Sequence, residues 1–434
     1  MIQRSELNIK PRLKGCFDKR HVMLALIYIL SLAVGAVLAI YLMWGAYLIP
    51  MEKIRENARS SISDIDVSQK VYALSLYGLP TDWFTDPLIL NNASFLGQDA
   101  LYDALLNPRV EKVESEDQWL NFRLAVNASS LAGFRVIYYP RFWHGYLIFL
   151  KPLLVFFDLE GIRYINLVFQ LSLLLAILYL MYKRLGFKHC AAFVTALCFL
   201  NPVTSWMCLE YANVINVMLL VTLWVLLNKN PDNNYMFFVI GAITILFDFL
   251  TFPLVTLGIP LILYICLYKR GFKEDVKCVI KNSFLWLFGY AGMLFSKWVL
   301  ATLLTDENVI KDGFENVLYR TYGITENGWD SNVTALRSIL LNMNVILNEI
   351  NNTLIILGVF LVFVSINYIY FSYRLKWKFK ALVLLGVALM PFVWYSLLVQ
   401  HSIIHPHWTY KILSISIYAL LSAVVCCLEP KKEN

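Results

Sequence analysis

Residues 22–49 read VMLALIYILSLAVGAVLAIYLMWGAYLI, an apolar run without a single charge, and Arg4, Lys10, Arg12, Lys14, Lys19 and Arg20 precede it. About 20 apolar residues in helical form cross a hydrocarbon layer roughly 30 Å thick, and a helix satisfies its own backbone polar groups there. The run is too long for the apolar region of a signal peptide. It predicts an uncleaved anchor whose basic leading segment stays in the cytoplasm.

The same pattern recurs along the chain. Of its 434 residues 59% are hydrophobic, 15% aromatic and only 15% charged, which is more apolar surface than one soluble core can use. Further helices are predicted near Tyr164–Tyr182, Cys190–Trp206, Tyr211–Leu227, a hairpin of two within Tyr235–Tyr268, Ser283–Leu304, Thr353–Tyr373, Ala381–Gln400 and Ile412–Leu428. The expected fold is an all-α polytopic membrane protein, a single transmembrane domain over residues 1–434 with about ten transmembrane helices. Alternate threading leaves both termini inside, together with the basic residues of 183–188, 269–281, 374–380 and 431–432, as the preference of Lys and Arg for cytoplasmic segments requires. Only 7 of the 30 acidic residues fall on that side.

The net charge of +7 therefore belongs to helix ends facing anionic lipid headgroups, and no nucleic-acid partner is implied. Eight cysteines, none in the long outer loop, imply neither a disulfide framework nor a metal cluster. The expected location is a cell membrane, and the short basic start and cysteine-free loop point to a bacterial one. The Asn-X-Ser/Thr sequons at Asn92, Asn127, Asn332 and Asn351 would matter only in a secretory pathway.

Residues 51–143 form a first outer loop far longer than a connector needs, and such loops carry function. With 12 acidic and 9 basic residues beside Trp83, Phe84, Trp119 and Tyr138, it suits juxtamembrane helices at the outer surface. A second outer segment, 305–352, ends in an amphipathic pattern. Leu336, Ile339, Leu340, Met343, Ile346, Leu347 and Ile350 share one helical face, with Arg337, Asn342, Asn344, Asn348 and Glu349 opposite. That spacing fits a helix lying on the headgroups, or one packed on the outer loop. The third outer segment reads His401-Ser-Ile-Ile-His405-Pro-His407-Trp408.

These predicted helix ends bring polar residues to one outer surface. His144, His401, His405, His407 and Glu210 lie there, and Asp248 marks the outer tip of the hairpin. Lys297 falls about 10 Å below the outer end of its span, at 1.5 Å per residue, where it either snorkels outward or binds an anion. The histidines are either ordinary interfacial residues or partners for a phosphate or hydroxyl. Pro406 argues against a zinc site built from their spacing alone. In Thr81-Asp82-Trp83-Phe84-Thr85-Asp86-Pro87, Asp86 is either a helix cap before a first-turn proline or a general base facing a cavity.

The order of these features resembles the GT-C superfamily of membrane glycosyltransferases, which includes the aminoarabinose transferases and protein O-mannosyltransferases. The likeness covers most of the chain. Its most specific piece is Tyr139-Pro140-Arg141-Phe142-Trp143-His144-Gly145-Tyr146, followed by an apolar stretch from Leu147 to Phe157 and then Gly161-Ile162-Arg163. Leu200-Asn201-Pro202, with Glu210 and Asn213 after it, is similar to the family's next segment. The resemblance implies transfer of a sugar from a polyprenyl-phosphate donor to a glycan or lipid acceptor, with membrane lipid as a further partner. It implies an aspartate of the first outer loop as the base, for which Asp86 is the best match and Asp82 a competitor. Arg141, His144, Lys297, His401 and His405 would then stabilise the departing phosphate, with Glu210 and Asp248 beside them. No metal site is assigned, and a divalent cation is the one cofactor left open.

A transporter or lipid flippase is the main alternative, although such proteins usually show paired halves and broken helices at the midplane. Pro202, Pro253, Pro260 and Pro391 are the positions where helices could break. A polysaccharide polymerase or ligase and a non-catalytic assembly factor are further readings.

Overall fold

The uncharged run propagates as one helix, α1 (Lys19–Tyr47), which stops before Pro50. The structure, a computed structural model, describes residues 19–73, 84–113, 115, 117–324, 332–348, 357–362, 365–366 and 373–430. After α1 come α2 (Met51–Ala73), α3 (Thr85–Ala93), α4 (Ala100–Leu106), β1 (Arg109–Lys112), α5 (Gln118–Asn127) and β2 (Phe134–Ile137). The chain continues through α6 (Leu147–Phe156), α7 (Leu159–Leu185), α8 (Phe187–Cys198), α9 (Pro202–Met207) and α10 (Leu209–Leu227). Next are α11 (Tyr235–Phe247), α12 (Val255–Leu267), α13 (Phe272–Leu304), α14 (Val309–Tyr322) and α15 (Ala335–Asn348). Helices Phe379–Val387, Met390–Leu397, Val399–Ile404, Pro406–Thr409 and Leu413–Cys427 complete it.

Among the described residues six helices are long and apolar enough to cross a membrane: Val22–Tyr47, Leu159–Leu185, Leu209–Leu227, Phe272–Leu304, Phe379–Leu397 and Pro406–Cys427. This is the architecture of a helical membrane protein, with fewer full-length spans than the ten expected. The differences have local causes. The helix expected over 190–206 breaks at Phe199–Asn201, where Asn201 adopts φ +53° ahead of Pro202. α11 and α12 hold 13 residues each, so each is about 20 Å long, short of a hydrocarbon layer of roughly 30 Å. Asp248 at their tip is accordingly buried. Its carboxylate accepts from the Leu250 and Thr251 amides and the Thr251 hydroxyl, at 2.6–3.3 Å, which satisfies the backbone of the turn. The span expected over 353–373 lies mostly outside the described residues.

Two glycines weld α11 to α13. A Cβ on Gly241 would stand 2.0 Å from the Trp286 carbonyl oxygen, and one on Gly289 would stand 2.0 Å from that of Phe238. Only hydrogen fits at either point, so the two backbones touch. Gly241→Val is expected to cost about 3 kcal/mol or more, read as a lower thermal unfolding midpoint of the detergent-solubilised chain; an unchanged midpoint would mean the helices are not in contact.

The described residues of the 51–146 segment form a folded cap, helical as expected but with a small sheet that the sequence pattern did not announce. β1 and β2 pair antiparallel, Arg109 opposite Ile137 and Lys112 opposite Phe134. At its centre the buried Arg55 guanidinium donates to the carbonyls of Ser94, Ala125, Val126 and Ala128, at 2.7–2.9 Å. These are carbonyls at the ends of α3 and α5, so one cation closes two helix C-termini. The far end of the bundle gathers other cations: Arg184 donates to the carbonyl of Asn228, and Lys380 to those of Ile265 and Tyr268.

Of the two arrangements expected for α15, the structure has a helix packed on protein, against the segments Met390–Leu397 and Val399–Thr409. Its polar Ser338 and Asn342 are fully buried, with Asn342 bonded to the Ser402 carbonyl and the Thr409 hydroxyl, while Leu336, Leu340, Met343 and Leu347 point outward. Protein thus supplies the partners of the buried Asn342 side chain.

Candidate functional site

The strip Tyr139–Tyr146 runs between the cap and the bundle, and close approach holds it there. The Gly145 amide donates to the Leu246 carbonyl at 2.8 Å, and a Cβ on Gly145 would stand 2.4 Å from that oxygen. The neighbouring His144 takes φ +52°, a left-handed conformation that is costly for a residue with a side chain. Its buried ring lies among Tyr139, Tyr146 and Phe249, with centroids 5.2, 5.6 and 6.0 Å away. His144 Nδ1 is 2.8 Å from the Tyr146 hydroxyl, and Nε2 has no partner among the described residues. Burial and the nearby charge of Lys297 push this imidazole down to about 3, so it is neutral.

Lys297 does not snorkel. It is fully buried under α4, donating to the Ala104 carbonyl at 3.1 Å and lying 5.4 Å from the Trp143 ring. An ammonium has three donors, and no carboxylate lies within 4.0 Å of this one among the described residues. Behind it, on the other side of α4, sit two groups the sequence did not single out. Burial raises the Asp103 carboxyl to about 6, with Asp99 adding to the shift and Lys151 opposing it. Burial also lowers the Lys151 ammonium to about 7; it donates to the Ala93 carbonyl at 2.9 Å and lies over the Tyr47 ring. The Tyr47 hydroxyl lies beside Asn92 at the same place, both of them buried. Gly97 makes room for the acid, since a Cβ there would stand 1.6 Å from Asp103 Oδ2.

Next to the strip, with Arg141 and Phe142 in its lining, an apolar groove of about 530 Å³ opens along α13. Ser283, Trp286, Tyr290, Leu294 and Trp298 form one wall, about 22 Å long at 1.5 Å per residue, and the Met390–Leu397 helix forms the other. Arg141 and Arg320 stand at its upper end. Arg141 pairs with Asp312 at 3.5 Å, and its carbonyl accepts from Trp298 Nε1 at 2.9 Å. Arg320 has no carboxylate partner among the described residues. Its Nη1 donates instead to His401 Nδ1 at 3.1 Å and His405 Nε2 at 2.8 Å. His401 and His405 are thus brought together as expected, but as props for an arginine in α14.

Both imidazoles must stay neutral to accept those bonds. Burial and Arg320 push His405 down to about 3, and burial, His405 and Arg320 drive His401 well below its usual range. The unfolded chain takes up these protons near pH 6.5, so the contribution of the pair is complete above that and lost as pH falls from about 6.5 toward 3. The unfolding midpoint of wild type is therefore expected to drop more than that of His405→Gln between pH 7.5 and pH 4.5; equal drops would show that the arrangement is not pH-linked.

Asp86 occupies a third location. α3 begins at Thr85 after Phe84, so Asp86 lies inside the first turn and does not cap its own helix. It caps another. Its buried carboxylate accepts from the Leu209 amide at 2.8 Å, the first residue of α10, and pairs with Arg163 at 3.4 Å. Arg163 in turn donates to the Met207 carbonyl at 2.7 Å. Glu210 is buried in the same first turn of α10, within electrostatic reach of Lys411. Lys411 donates to the Leu200 carbonyl at 2.8 Å, filling the break between α8 and α9. Asp82 lies outside the described residues.

Arg320, Asp103, Lys151 and Lys411 are the residues the sequence reading passed over. Three of them had a signal: Lys151 interrupts an apolar run, Lys411 stands at the start of another, and Arg320 closes an amphipathic stretch; Asp103 had none. Among the described residues no three His, Cys, Asp or Glu side chains stand together as a metal site. No family model, curated protein or solved structure matches this chain.

Proposed function

We propose that the chain is a membrane glycosyltransferase of GT-C type that moves a sugar from a polyprenyl-phosphate donor to a glycan or lipid acceptor on the outer face of a cell membrane, with both termini cytoplasmic. Arg320 carries the reading. A guanidinium held by two neutral histidines, without an acid partner among the described residues and at the end of a lipid-sized groove, suits a phosphate whose tail is apolar. A lipid-linked sugar is too polar for hydrocarbon and too apolar for water, so its enzyme needs this juxtaposition at headgroup level. A second groove of about 370 Å³, bordered by Tyr146, Leu150, Asn166, Asn213, Asn216 and Phe247, meets the same strip from the other side and supports an acceptor that is itself borne by a lipid.

In the reaction an acceptor hydroxyl attacks the anomeric carbon, the bond from that carbon to the phosphate oxygen breaks, and the phosphate leaves on the two arginines. The hydroxyl proton needs a carboxylate. Asp103 suits that part better than Asp86, whose charge is already held by Arg163 and the Leu209 amide. Asp99 and Tyr102 on its own helix, Tyr47 on α1 and Lys151 on α6 face Asp103. Transfer is accordingly expected to fall as pH drops through about 6, where this carboxylate takes its proton.

Incubating the full chain in lipid nanodiscs with a panel of labelled polyprenyl-phosphate sugars tests the reading by release of polyprenyl phosphate. Passage of the intact donor across sealed vesicles without any release would make the chain a flippase or transporter instead.

A further inference from the structure

The compartment around His144 has features that the lipid-phosphate groove does not use. A strained backbone holds the His144 ring, and strain of this kind persists only where surrounding packing enforces it. Its Nε2 is buried and makes no geometric hydrogen bond among the described residues, with the Tyr139 backbone the nearest polar influence; in the tautomer where the Tyr146 hydroxyl, 2.8 Å away, donates to Nδ1, Nε2 carries the hydrogen and offers it to a guest. Tyr139, Tyr146 and Phe249 supply aromatic faces around it. Asn107 Oδ1, which is also unpartnered, lies beside the same strip, its amide reaching the Phe142 carbonyl. A ring of hydroxyls is the kind of guest that uses buried donors, acceptors and aromatic faces together.

Charge then narrows the guest. Arg109 is paired with Glu111 at 3.0 Å, and Lys151 and Asp103 offset each other across α4. Lys297 remains, completely buried, with one of its three donors on the Ala104 carbonyl and no acid within 4.0 Å among the described residues. A cation taken out of water without an anion is costly, and an anionic guest removes that cost.

We propose that this compartment binds the transferred sugar and that Lys297 selects a sugar carrying an anionic substituent, such as the carboxylate of a hexuronate. The inference rests on the glycosyltransferase reading and adds the substrate class. The same ammonium could also meet the phosphate of the lipid, so the test has three arms: polyprenyl phosphate alone, polyprenyl-phosphate glucose, and polyprenyl-phosphate glucuronate. These last two differ only at C6. Affinity of the full chain in nanodiscs is read from tryptophan fluorescence, and transfer from released lipid phosphate.

Wild type is expected to bind the glucuronate donor at least 10-fold more tightly than the glucose donor. Lys297→Met should erase that difference while changing the affinity for polyprenyl phosphate less than twofold, and His144→Phe should weaken both sugar donors. Equal affinity of wild type for the two sugar donors overturns the proposal and needs no variant to fold. Equal loss of all three ligands in a folded Lys297→Met protein also overturns it, by assigning the lysine to the lipid phosphate. Failure of wild type to bind any of the three, polyprenyl phosphate included, removes the glycosyltransferase reading itself and the sugar proposal with it.

Discussion

Asp86→Ala is expected to lower the stability of the folded chain by about 3 kcal/mol or more, the usual cost of leaving one member of a buried ion pair alone. The substitution removes the acceptor at the start of α10 and takes the Asp86 carboxylate away from Arg163, which keeps its bond to the Met207 carbonyl. Asp86→Asn keeps an oxygen for the Leu209 amide and loses only the charge, so it should fall between alanine and wild type. Chemical unfolding followed by tryptophan fluorescence in detergent gives the ranking. If both variants unfold like wild type yet neither transfers sugar, the carboxylate serves the reaction and not the joint between cap and bundle.

The second large effect belongs to the groove. Replacing Arg141 and Arg320 together by glutamine should weaken binding of polyprenyl phosphate by about 3 kcal/mol, roughly 100-fold, since each loses a charge-assisted bond to the phosphate. Lys311→Gln, an exposed charge on the same helix as Arg320, serves as the control and should leave the affinity unchanged. A double variant that binds as well as wild type would place the phosphate elsewhere. The single Arg320 substitution should carry most of the effect, because Arg141 is already partly neutralised by Asp312.

Length and hydropathy made the long spans legible, since a helix that crosses lipid must be both long and mostly apolar, and helices such as α11 and α12 are apolar but short. The breaks were legible only as proline positions: Pro202 and Pro391 do begin new helices, whereas Pro260 sits within α12. β1 and β2 are four residues each, too short for alternation to stand out. Residue types at the site could be named early because charge and imidazole are rare in such a sequence. Their partners could not. Nothing local to Asp86 announces the α10 amide that it meets 123 positions later, and nothing local to His401 and His405 announces Arg320. The two faces predicted for α15 are mixed in the structure: Asn342 is buried while Arg337 and Asn344 stay exposed, and Ile339 and Ile346 pack on the core while Leu336 and Leu340 do not, because hydrophobic periodicity does not show which neighbours a helix meets.

The two sides of the groove differ in stiffness. One is α13, held to α11 wherever Gly241 and Gly289 let the backbones touch. The other, Met390–Leu397, is joined to the helix before it through Ala388 and Leu389, and the loose Ala388 carbonyl is tethered by the Ser416 hydroxyl at 2.7 Å. The middle of the same rod is held by the Tyr395 hydroxyl on the Thr409 carbonyl at 3.0 Å, so a groove wide enough for the proposed lipid tail depends on two hydroxyl latches set against an unyielding frame.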